Sequence, residues 1–201
     1  MRLVDAGLTL FGSKGFHGVG VREICAEAQL TERYFYESFA NREALFSAVY
    51  QHCVDMVRDR TDRALSESAP APTPGGQLPT LARAGLGAFF HALRDEPRMP
   101  RILLIDVLTI NPDVSAQSRV AVETFADLVG DLAGVMFPDL RRRGLEPNLI
   151  GTGLVGTTVF LAMRWAARGF DDSVETMVEH ATLFYEGVAR AALERDDPAR
   201  T

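Results

Sequence analysis

The stretch LTERYFYESFANREALF, residues 30–46, carries Glu32, Arg33, Tyr34, Tyr36 and Arg42 close together. These are side-chain types that read and hold nucleic acid. A guanidinium offers paired N–H groups to a guanine edge, and a carboxylate accepts from a cytosine amine. Contacts to phosphate position a protein without reading sequence, and a helix start is a natural place for them. On this reading Arg33 and Tyr34 address bases, with Glu32 as an acceptor for cytosine. Tyr36, through its hydroxyl, and Arg42, in the first turn of the next helix, address the flanking strands.

Other chemistry has little material. No nucleophile–base pairing and no paired-carboxylate pattern is readable, so no catalytic residue and no enzyme is expected. His17, His52, His91 and His180 are scattered without metal-ligand spacing, and Cys25 and Cys53 form neither a metal pattern nor a disulfide framework. No metal or cofactor is expected, and the thiols read as free and buried. GTGLVG, residues 151–156, matches a dinucleotide-loop pattern, but that loop needs a preceding strand, and none is visible. Close approach of two helices explains these glycines better.

A surface that reads DNA must be held by a scaffold, and the periodicity supplies one. Apolar residues recur at helical spacing throughout, and alternating strand-like runs are absent. Leu3, Gly7, Leu10 and Phe11 define a helix over 2–13 that ends at Gly15. Val21, Ile24, Cys25 and Ala28 define a second over 21–28. Thr31 stands where a side-chain cap opens a third, 31–38, carrying Phe35 and Phe39 on one face. Asn41 caps a fourth that runs towards Leu65. Two short helices joined through Gln29 and Leu30 form a helix-turn-helix, whose second helix enters the major groove. With Leu10, Phe11 and Phe16 packed against Ile24, Phe35 and Phe39, the outer side of the third helix faces away.

SESAPAPTPGGQLP, residues 66–79, interrupts the pattern with prolines and glycines and reads as a mobile connection. Helical runs resume over about 80–94, 97–110, 113–137, 147–169 and 172–195. The fold class is all-α with about nine helices. A three-helix DNA-binding domain occupies 1–46, and a helical effector-binding and dimerisation domain occupies 47–201. No apolar run looks long enough to cross a bilayer and Met1 opens no signal-peptide layout, so a cytoplasmic protein with no membrane role is expected. Net charge is −6, but seven basic groups face eight acidic ones in residues 1–60, leaving −1 there and −5 in the remainder. Any DNA contact must come from placed cations rather than overall charge.

At these residues the chain resembles the tetracycline-repressor (TetR) family of transcriptional regulators. The pieces are LVDAGLTLFGSKGF, VREICAEA and LTERYFYESFANREALF, in which Thr31, Tyr36, Phe39, Arg42 and Leu45 hold family places. Val19 and Gly20 stand where many members have a Thr-Thr pair, and Ala28-Gln29-Leu30 where Ala-Gly-Val is usual, which asks Gln29 for a left-handed backbone. The resemblance implies that Arg22 also reaches DNA. It implies a homodimer through helices 147–169 and 172–195, double-stranded operator DNA as partner, and an unknown small-molecule effector in the body. The implied function is a repressor that binds a palindromic operator and is released by its effector. The alternative is a helical small-molecule-binding protein with a non-functional head. Asp106 and Arg164 each interrupt an apolar run, either as surface or internally paired charges or as polar anchors in a cavity. Phe89, Leu103, Val107, Phe125, Val129, Phe160 and Met163 are the candidate apolar lining.

Overall fold

Two punctuation residues shape the first helices. Gly15 adopts φ 79°, a left-handed backbone that suits glycine, and stops α1 (Arg2–Lys14). Asn41 accepts the Ala44 N–H at 2.8 Å and starts α4 (Arg42–Ser68). Between them lie α2 (Val21–Ala28) and α3 (Glu32–Ser38). The rest of the chain is α5 (Leu78–Asp95), α6 (Met99–Leu104), α7 (Pro112–Met136), α8 (Pro147–Ala167) and α9 (Val174–Glu194), with 3-10 turns at Phe16–Gly18 and Asp106–Leu108. The computed structural model describes residues 1–68 and 78–194, and among these the fold is all-helical with nine α-helices.

Three expectations change. Residues 66–68 close α4 and 78–79 open α5, while the centre of the expected connection, 69–77, lies outside the described residues. The single helix expected over 97–110 is broken: Ile105 leaves helical geometry (φ −121°, ψ −68°) between α6 and the 3-10 turn at Asp106–Leu108. The break swings the Asp106 carboxylate onto a backbone amide ninety residues earlier. Finally, α8 is long and apolar enough to cross a membrane by length and composition, with mean hydropathy 1.3. Spaced glycines and threonines hide this in the sequence.

Contacts group the chain into two units. The first comprises Met1–Arg58 and Ala92–Arg119. Its centre is an aromatic triad: the Phe11, Phe16 and Phe46 rings have centroids 5.5 to 5.6 Å apart. Ile24, Phe35, Leu45, Val49, Leu93, Met99 and Ile102 are buried with it. Cys25 and Cys53 are free and buried, and burial pushes the Cys53 thiol up to about 12. The second unit comprises Asp59–His91 and Val120–Thr201. Trp165 is its fully buried centre, edge-on to Phe90 and Phe170, and its indole N–H donates to the Asp172 carbonyl at 3.0 Å. Where a boundary at 46/47 is expected, the contacts group 92–119 with residues 1–58.

GTGLVG lies inside α8, with no strand before it, so the nucleotide-loop reading falls away. A Cβ on Gly151 would sit 2.1 Å from the Ala126 carbonyl oxygen of α7, so the two helix backbones touch there. Gly134 faces open space. Gly151→Ala is expected to destabilise the protein by about 1–3 kcal/mol, the usual cost of overpacking. Gly134→Ala is expected to stabilise it by about 0.5–1 kcal/mol, because alanine loses less entropy in a helix. Urea denaturation of the two variants checks the contrast.

Candidate nucleic-acid interface

The recognition surface is built on α3. Only Phe35 of this helix is buried; Glu32, Arg33, Tyr34, Tyr36 and Glu37 are all exposed. Phe35 anchors the helix through ring contacts to Phe39 (6.1 Å) and, edge-on, to Tyr36 (5.3 Å). Buttressed this way, Tyr36 is held on the outer surface with its hydroxyl unengaged. A short helix with one buried anchor and a polar remainder is what groove insertion requires.

The corner before α3 is a Schellman turn. The Leu30 N–H bonds to the Cys25 carbonyl at 2.9 Å and the Gln29 N–H to the Ala26 carbonyl at 3.1 Å. Gln29 takes the left-handed conformation expected of it, φ 52° and ψ 46°. Arg2 Nη2 donates to the Gln29 carbonyl at 3.1 Å. Thr31 occupies the N-cap position of α3, but its hydroxyl makes no cap bond, contrary to expectation. It lies exposed beside the first-turn amides.

The loop that delivers α2 is pinned by charged side chains. The Phe16 N–H donates to Asp106 Oδ2 at 2.8 Å, a buried bond. Arg101 Nε lies 3.6 Å from the other oxygen of that carboxylate. Arg42 Nη1 donates to the carbonyls of Val19 and Phe16, and its guanidinium carbon sits 4.8 Å from the Phe16 ring centroid. Arg42 is therefore half-buried, its charge set against these two carbonyls. The Asp106 carboxylate is buried and serves the loop. Val19 is buried.

Segment 98–101 adds a clamp that sequence reasoning missed. Arg98 chelates Glu96 with Nε and Nη2, each at 2.6 Å, and its Nη1 donates to Thr9 Oγ1 at 2.8 Å. These bonds hold the Glu96 carboxyl below its ordinary range. Gly12 and Gly15 mark the contact: a Cβ on Gly12 would lie 2.4 Å from Arg98 Cβ, and one on Gly15 2.4 Å from Arg101 Nη2. Two glycines at the end of α1 were the signal available.

The cations facing outward are themselves paired. Arg22 Nε bonds Glu32 Oε1 at 3.1 Å across α2 and α3, and Arg33 Nε bonds Glu37 Oε1 at 2.8 Å along α3. Lys14 pairs with Glu23. Glu32 is thus engaged with Arg22 in the free protein rather than open for a base.

The candidate cavity residues fall in both units. Leu103 and Val107 are buried in the first unit. Phe89, Phe125, Val129 and Met163 are half-buried in the second. Phe160 is 71% exposed, and Arg164 is exposed and pairs with Asp172 at 3.8 Å. An open groove of about 480 Å³ in the second unit is lined by other residues, among them Arg83, His91, Glu175 and Glu179.

An all-α chain that presents a helix-turn-helix with an outward polar recognition helix belongs to the class of DNA-binding transcription regulators. A family model described as "Bacterial regulatory proteins, tetR family" matches residues 3–49, the helix-turn-helix head. The chain is 28% identical over 198 residues to the HTH-type transcriptional activator FasR of Mycolicibacterium smegmatis, covering 96% of this chain and 84% of that one. Its fold is similar to the fatty acid degradation regulator FadR of Bacillus halodurans: TM-score 0.75, 14% identity, 93% of this chain and 94% of that one. It is also similar to FadR of Bacillus subtilis in complex with stearoyl-CoA: TM-score 0.73, 14% identity, 93% and 98% covered.

Two variants test the architecture of the head. Asp106→Ala leaves the buried Phe16 N–H without an acceptor and is expected to cost about 1–3 kcal/mol, read by urea denaturation. Gln29→Gly relieves the left-handed backbone and is expected to raise stability by up to about 1 kcal/mol, or a few degrees in melting temperature.

Proposed function

We propose that the chain is a homodimeric repressor that grips a palindromic operator with one α3 from each copy and releases it when a small amphipathic effector binds the body. The observation that carries the reading is the outward face of α3, where Arg33, Tyr34 and Tyr36 stand exposed around the single buried Phe35. Arg33 takes the base edge, Tyr34 adds an apolar and hydrogen-bonding surface beside it, and Tyr36 and Thr31 offer hydroxyls to phosphate. Arg22, 91% exposed, reaches the same groove from α2. Arg42 acts through the loop it holds.

Two heads are needed because one short helix buries too little to be specific. The surface of α8 and α9 supports a dimer. One face of α8 packs inward through Gly151, Leu154, Val155, Thr158, Ala162 and Trp165. The other carries Leu149 and Phe160, 73% and 71% exposed, with Gly153 and Gly156 between them facing open space. On α9, Leu183, Phe184 and Val188 are exposed around Gly187. Large exposed apolar groups concentrated on adjoining helices mark an interaction face, and a second copy offers the same face in a self-complementary way. This also accounts for the apolarity of α8, which needs two apolar faces rather than a bilayer.

For the effector, the relatives suggest a class. One similar structure is of a regulator holding stearoyl-CoA, and another is of a fatty acid degradation regulator. A long-chain acyl thioester is the effector we propose for this body. Its binding shifts α4, which contributes residues to both units, and changes the spacing of the two recognition helices. A ligand acts this way only if it prefers one spacing over the other. A second reading, activation, is favoured by the 28% identical relative, a transcriptional activator.

Selection from a randomised duplex pool followed by gel shift tests DNA reading. Wild-type protein is expected to enrich a two-fold-symmetric sequence with salt-sensitive binding. Arg33→Ala is expected to relax preference at one position of each half-site, at a cost of about 1–3 kcal/mol there, and Arg42→Ala to weaken all duplexes alike. If Arg33→Ala leaves operator binding unchanged, the contact assignment fails. Phe160→Glu is expected to yield a monomer in sedimentation and to lose operator binding. Stearoyl-CoA, but not coenzyme A alone, is expected to raise the melting temperature. Transcription in vitro from the bound promoter separates repression from activation by the sign of the change.

A further inference from the structure

The ion pairs on the DNA face share a geometry that charge balance alone does not require. In both Arg22–Glu32 and Arg33–Glu37 the carboxylate takes the Nε–H, side-on to the guanidinium. Neither arginine makes another hydrogen bond within the described residues. The two terminal nitrogens of each guanidinium, the edge that forks onto guanine O6 and N7, are left open. The arginines are 91% and 85% exposed, so the ties add little stability. Their effect is on orientation and on local charge.

We infer that Glu32 and Glu37 set the specificity of this DNA face, each tying one arginine by its Nε so that the end fork is presented to a base edge while the carboxylate disfavours contact with phosphate alone. The inference rests on the reading of α3 as the recognition helix. A phosphate approaching Arg33 meets the Glu37 carboxylate beside it, and the two negative charges repel. A guanine edge meets the fork end-on and presents acceptors without a formal charge. The same logic applies at Arg22 with Glu32, which in addition bridges α2 to α3. Lys14 is likewise held by Glu23, and Arg2 by the Gln29 carbonyl, so the front of the head offers no loose cation among these to bind DNA indiscriminately. Glu32 and Glu37 are positioning residues here, acting through the arginines they hold.

The test uses full-length protein and two probes: a random-sequence duplex of about 30 base pairs, and the best duplex that wild-type protein recovers from a randomised pool. Glu37→Gln keeps an oxygen for the Arg33 Nε–H but removes the charge. It is expected to bind the random duplex about three- to tenfold more tightly, with a logarithmic salt slope steeper by about 0.9, while keeping the base preference at the Arg33 position. Glu37→Ala removes charge and tie together, and is expected to show the same gain on random duplex and to lose that preference. Glu32→Gln should repeat the Glu37→Gln pattern. Unchanged random-duplex affinity and salt slope in both glutamine variants, with wild type still selecting a sequence, overturns this inference alone. A wild-type protein that selects no sequence overturns the recognition-helix reading and this inference with it. Thermal melting by circular dichroism confirms that each variant compared is folded.

Discussion

The head depends on how a few peptide groups between α1 and α2 are held. Residues 15–19 change direction twice, once at the left-handed Gly15 and once at extended Val19, and the 3-10 turn between them makes two internal bonds, Gly18 N–H to the Gly15 carbonyl and Val19 N–H to the Phe16 carbonyl. Charged side chains from elsewhere in the chain supply the rest. Asp106 takes the Phe16 amide and Arg42 takes the Phe16 and Val19 carbonyls. Hydrogen bonds with one charged partner are the stronger kind, and a buried peptide group left unpaired is costly. The start of α2, and through the Schellman corner the angle of α3, therefore follow from two side chains that never need to touch DNA.

This arrangement changes what the basic residues of the head are for. Arg42, Arg98 and Arg101 are structural: they bind carbonyls, a hydroxyl and carboxylates inside the first unit. Arg22 and Arg33 stay at the surface, and each stands beside a carboxylate. A head with net charge near zero cannot rely on the polyanion for affinity. It must obtain binding from geometry matched to particular base edges.

The helices and the helix-turn-helix were legible because they rest on local rules. Apolar spacing, an asparagine cap at 41, a glycine stop at 15 and the left-handed demand on Gln29 all act within a few residues, and the structure carries each of them. What escaped was long-range. Nothing local says that Asp106 belongs to Phe16, or that Arg42 should turn inward onto carbonyls instead of outward. Nothing local marks Phe46 either, yet it completes the aromatic triad. The expected capping by Thr31 shows the opposite failure: the residue type fits the place, but its hydroxyl makes no cap bond. Apolarity alone cannot separate core from lining or from an uncovered face: Val107 is fully buried and Phe160 largely exposed.

The joint between α7 and α8 has a mechanical corollary. Where Gly151 meets the Ala126 carbonyl, two backbones touch with no side chain between them, and Gly130 lies against Pro147 and Asn148 nearby. Side chains are the compliant padding of a protein, because a rotamer can give way. A seam without padding has no slack, so sliding one helix against the other would force main chain into main chain. The pair behaves as a stiff strut. Any push that reaches α7 is delivered undamped to Leu149 and Phe160 on the outer flank of α8.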